Sequence, residues 1–172
     1  MTLRFKDIPQ FTRDPSYQVN IPWDYLESWL GKEQCGASPD MDPPFQRAHV
    51  WTKQQQIAFV EFVLAGGVGS NTIRWNCAGW MGSFKGPFVL VDGKQRLTAV
   101  LRFLRNEIGV FGGHYLREYD KLRCVQHDFV MMINSLDTTK EVLEWYLQIN
   151  AGGVIHTDEE LNKVRGMLES LK

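Results

Sequence analysis

Residues 88–100 read FVLVDGKQRLTAV, and this stretch sets the interpretation of the chain. The apolar run 88–91 is short enough for a buried strand. A helix is predicted over 95–107, because Leu97, Val100, Leu101, Leu104 and Ile108 recur at spacings of three and four. Between strand and helix stand Asp92 and Gly93. Glycine permits a sharp turn and lets backbone approach a ligand closely. A helix that starts there aims unpaired N–H groups and the positive end of its dipole at one spot. Lys94 and Arg96 add charge, and the natural ligand of such a spot is phosphate. Asp92 would repel an anion. It is read three ways: as the helix cap, as an orienter of arginine, or as a ligand of a divalent cation bound to phosphates.

Working outward, Thr52 and Gln55 form a capping box that opens a helix, with Ile57, Val60, Val63 and Leu64 as its inner stripe and Gly66–Gly67 as its end. Strands are predicted over 71–77 and 129–133, with 78–87 as a loop or hairpin between the first of these and the 88–91 strand. Thr138 with Glu141 caps a helix running to about Asn150. Thr157 with Glu160 caps a last one, with Leu161, Val164 and Leu168 inward. Toward the N-terminus, 21–30 reads as a short helix stopped by Gly31, 36–44 as a loop, and 1–20 as an arm or edge strand. The elements interleave without a regular βαβ rhythm, so the expected class is α+β, a small mixed sheet with several helices. Residues 1–42 are taken as an arm and short helix of the same domain as 43–172.

A chain of 172 residues is one domain's worth and needs no disulfide staples for a core. Disorder throughout and a coiled coil are excluded by 44% hydrophobic and 23% charged residues. No apolar run approaches ~20 residues, and residues 1–6 offer no signal-peptide stretch. Cys35, Cys77 and Cys124 lie far apart and form no CxxC pair, so they are read as reduced thiols in a cytoplasmic protein. The net charge of −1 hides an asymmetry. Residues 43–105 hold eight basic side chains against Glu61 and Asp92, while the remainder is acidic. The split suggests a local anion site, although Arg102 and Arg105 read as solvated helix residues.

Two further stretches carry chemistry. PPFQRAHVW (43–51) is extended at its prolines and presents Gln46 and Arg47; Arg47 suits a bidentate grip on phosphate, or a surface ion pair. Trp51 reads as a core residue packing before the helix cap. YLQINAGGVIHTDEEL (146–161) breaks a helix at Asn150 and turns at Gly152–Gly153. Asn150 either merely ends its helix or faces the same ligand. His49, His114, His127 and His156 show no HNH or metal-ligand spacing and read as surface or packing residues.

Together QRAHVW, VDGKQRLTAV and INAGGVIHTDEEL resemble, in order and spacing, the motifs of the GmrSD-type N-terminal domain family of the ParB/sulfiredoxin-like superfamily. The resemblance covers roughly residues 42–165. It implies a domain that binds a nucleoside triphosphate with Mg²⁺ and can hydrolyse it, in a phage or bacterial restriction or defence setting. By resemblance Asp92, Gln95 and Arg96 are the catalytic set, with Asp92 also toward the metal. Gln46, Arg47, Gly93, Lys94, Thr98, Asn150 and Gly153 are the nucleotide-binding set. Lys94 departs from the family, which usually has Gln there. Larger relatives carry a separate HNH domain, for which this chain has no pattern, so a protein acting in trans on a separate restriction or effector partner is expected. The alternatives are a DNA-binding or nicking domain, with Trp75 or Trp80 stacking a base, and a catalytically silent interaction module.

Overall fold

The computed structural model describes residues 17–32, 37–119, 127–151 and 158–171. Four strands form one mixed sheet: β1 (Tyr17–Pro22), β2 (Thr72–Cys77), β3 (Phe88–Asp92) and β4 (Asp128–Asn134), in the order β1-β4-β2-β3. β1 runs antiparallel to β4, β4 parallel to β2, and β2 antiparallel to β3. Helices α1 (Leu26–Leu30), α2 (Lys53–Leu64), α3 (Lys94–Leu104), α4 (Thr139–Ala151) and α5 (Asp158–Glu169) complete an α+β domain.

Alternation along the strands explains why both faces of the sheet are covered. Ile73, Trp75 and Cys77 of β2, Phe88 and Leu90 of β3, and Phe129, Met131 and Ile133 of β4 share one core with Phe59, Val60 and Val63 of α2 and Leu97, Val100 and Leu101 of α3. Val91, with Val89 against it, belongs to a second core with Leu143, Trp145 and Tyr146 of α4 and Val164 of α5. On that second face Asn76 is buried, and its amide closes a two-way hydrogen bond with the backbone of Leu136 at 2.8 and 3.1 Å.

Most expected elements appear. The Thr52–Gln55 capping box is formed, and Thr138 and Glu141 bond reciprocally at the start of α4. The cap at Thr157 lies outside the described residues, as do Gly153, His156, Cys35 and Cys124. Differences sit near the N-terminal part. Ile21 and Pro22 end β1 instead of beginning a helix, because Ile21 pairs with Phe129; a 3-10 turn, Trp23–Tyr25, then leads into α1. Within the predicted loop 36–44, Asp40 bridges the outer edge of β3, exchanging backbone bonds with Phe88 and Leu90. On α2 the inner stripe is Gln56, Phe59, Val60 and Val63; Ile57 and Leu64 are only partly buried.

β2 and β3 are out of simple step. Trp75 lies opposite Leu90, yet Arg74 lies opposite Asp92, so Val91 is one extra residue on β3. Such a bulge turns the residues beyond it and increases local twist. Its effect is to set Asp92 beside Arg74.

Candidate functional site

Where β3 gives way to α3, the backbone must reverse within one residue. Gly93 does this at φ +103°, ψ 8°, a left-handed conformation that L side chains rarely adopt. A Cβ there would also stand 2.5 Å from Ile73 Cδ1 and 3.3 Å from its Cα. Intrahelical bonding begins only at the Leu97 N–H, which donates to the Gly93 carbonyl at 2.9 Å. The amides of Lys94, Gln95 and Arg96 therefore have no helical carbonyl to meet. Gly93 itself is the N-cap, without a side-chain cap bond. The capping reading of Asp92 is thereby corrected.

Asp92 instead orients arginines. Its Oδ2 accepts from Arg74 Nη1 at 2.8 Å and Arg96 Nη2 at 2.9 Å. All three side chains are about a quarter to a third exposed, so the pairs define direction more than stability.

The irregular segment 42–51 is fastened across this turn by side chains. Gln46 Nε2 donates to the carbonyls of Leu90 and Val91 at 3.0 and 2.9 Å. Lys94 Nζ meets the Asp42 carboxylate and the Arg47 carbonyl, the latter at 3.0 Å. Buried Gln95 accepts from the Val50 and Trp51 amides at 3.0 and 3.1 Å and donates to the Ala48 carbonyl at 3.3 Å. Trp51 packs against Phe59 with ring centres 5.4 Å apart, partly buried at the margin of the first core rather than within it. Next to it, Gln56 bonds both the Trp51 carbonyl and His49 Nε2, while accepting from Arg102. Desolvation holds the His49 imidazole below its ordinary pKa, and the charges of Arg102 and Lys94 act in the same direction.

These elements enclose a cavity of about 630 Å³, within the range of small-molecule sites. Four cations line it, Arg47, Arg74, Lys94 and Arg96, with Asp92 as the single carboxylate among the described lining residues. Gln46, Gly93, Gln95 and Asn150 line it as well, and Val50, Trp51, Tyr146 and Ile149 supply apolar lining. Of the expected residues, Thr98 does not reach the cavity; it lies partly buried further along α3. Asn150 Nδ2 donates to the Tyr146 carbonyl at 2.7 Å, so it also finishes α4.

The residue missed in the sequence is Arg74. A lone arginine between buried Ile73 and Trp75 is the signal that would have found it, because a charge on a buried strand requires a partner. Arg102 and Arg105 lie off the cavity, paired with Glu107 and Glu27. Trp75 is only 1% exposed and cannot stack a base. Trp80 packs among Tyr17, Phe84 and Phe88. Among the described residues no three His, Cys, Asp or Glu side chains group so as to hold a metal ion, and no helix is long and apolar enough to cross a membrane. Comparison with protein-family models, curated proteins and solved structures finds no match to this chain.

Proposed function

We propose that this chain is a ParB-like domain that binds a nucleoside triphosphate, with the phosphates at the first turn of α3. The observation that carries the reading is the convergence of Arg47, Arg74, Lys94 and Arg96 with that turn on one cavity. Four cationic side chains around a helix start whose first amides have no helical carbonyl suit a polyanion. The apolar lining from Val50, Trp51, Tyr146 and Ile149 suits a ring beside it. The restriction or defence setting, a cytoplasmic location and a separate effector partner enter this proposal from the motif resemblance.

The geometry supports binding more directly than hydrolysis. Gln95 has its amide engaged by the 48–51 backbone, and Asp92 has Oδ2 engaged by two guanidiniums. Any turnover is expected to be slow, since the groups suited to orient water are holding the site together. The DNA reading loses Trp75, one of its two candidate stacking residues, to the core.

Thermal unfolding with each common triphosphate tests the proposal. Ligand at ~100 times its Kd adds roughly 2.7 kcal/mol, a rise in Tm of about 5–10 °C for a chain of this length. Arg47→Ala and Arg96→Ala should each weaken binding by about 1.5–3 kcal/mol. No shift with any triphosphate at millimolar concentration defeats the reading.

A further inference from the structure

Mg²⁺ normally reaches a nucleotide site through one or two carboxylates plus the substrate's phosphates. The donor set here reaches that requirement only at its minimum, and its one carboxylate is already engaged. Asp92 is the single carboxylate among the described lining residues, and its Oδ2 is shared by the guanidiniums of Arg74 and Arg96 at 2.8 and 2.9 Å. Asp42, the next acid along, lies on Lys94 outside the cavity lining. A cation brought to Asp92 would displace arginine or sit beside two fixed positive charges, at a Coulomb cost that rises as the site closes. The two guanidiniums already supply what a metal supplies: fixed positive charge, held in direction by a carboxylate beneath.

We propose that the cavity takes its polyphosphate as the metal-free anion, with Arg74 and Arg96, aided by Arg47 and Lys94, standing where a divalent cation would. The inference rests on the nucleotide reading above and deepens it. A metal ion cancels two of the ligand's negative charges, so it weakens attraction to an arginine-built site. Asp92 is then a positioning residue for two arginines, and Arg74 is a binding residue.

Calorimetric titration of the full chain with ATP, GTP, CTP and UTP, in EDTA and in excess Mg²⁺, tests this. The expected result is affinity in EDTA equal to or above that in Mg²⁺. Binding in Mg²⁺ that weakens about tenfold or more in EDTA, a 1.4 kcal/mol difference, overturns the inference and leaves the nucleotide reading standing. Heat in neither condition overturns both. Two variants sharpen the outcome. Asp92→Asn should leave the ratio of affinities in EDTA and in Mg²⁺ where it stands in the parent chain, whereas removal of a metal ligand would abolish any Mg²⁺-dependent gain. Arg74→Ala should lose about tenfold or more, the scale of a charge-assisted bond. An unchanged Kd for Arg74→Ala sinks the assignment, and the EDTA comparison on the parent chain decides if either variant fails to fold.

Discussion

Gly93 is the residue on which the site turns. Its positive φ and its closeness to Ile73 have separate costs for any side chain. Gly93→Ala should therefore destabilise the fold by about 1–3 kcal/mol from backbone strain alone. That lowers Tm by roughly 2–4 °C per kcal/mol. A melting curve unchanged by the substitution would mean that the turn relaxes freely. This requirement was legible beforehand, since a strand–Asp–Gly–helix sequence demands a sharp turn. What the sequence left open was the work of the polar side chains around it. Gln95 and Gln46 carry amides that suit ligand or backbone equally, and only tertiary placement shows both bonded to backbone carbonyls and amides. Asp92 likewise had three chemically sound readings, and the turn geometry removed one of them by making Gly93 the cap.

At the scale of elements, the segment 42–51 has no regular structure of its own between Thr52 and the bridge at Asp40. It holds its path through Gln46, Lys94 and Gln95. Gln95→Ala should free the Val50 and Trp51 amides. Their hydrogen exchange should rise selectively, while amides in β2 and mid-α2 keep their protection. Nucleotide affinity should fall with it, although Gln95 need not touch the ligand, because Arg47 rides on that segment. Equal exchange in both proteins would show that the segment is held otherwise. Helices and strands were largely legible at this scale, because apolar spacing and capping boxes are local signals. Strand order was not. β4 comes to lie between β1 and β2 through pairings that span more than fifty residues of chain, and local pattern does not encode partners. Arg74 escaped for the same reason: its partner follows from the register of a neighbouring strand.

Across the whole molecule, the cavity lies where two cores meet. α3 packs with the first core, Tyr146 of α4 belongs to the second, and both line the same space. Phe45, just before Gln46, packs on Tyr146 with ring centres 5.2 Å apart, tying the 42–51 segment to the second core. A ligand that fills the cavity should accordingly slow amide exchange in α4 as well as α3. The amides of β1, at the edge of the sheet farthest from β3, provide the reference. Protection confined to α3 would show that the ligand leaves the α4 wall untouched.

The extra residue at Val91 carries a lesson about inheritance. The bulge it makes lets strand β3 set the acid that aims two arginines opposite the first of them; regular pairing of the same sequence would leave a valine there. Chemistry at the site is therefore written partly in the spacing of residues as well as in their kinds. In a lineage descending from this chain, conservative exchanges in 88–92 would be easily absorbed. The gain of one codon there would carry the acid past its arginine even with every charged side chain still present, whereas loss of Val91 would let regular pairing keep acid and arginine opposed.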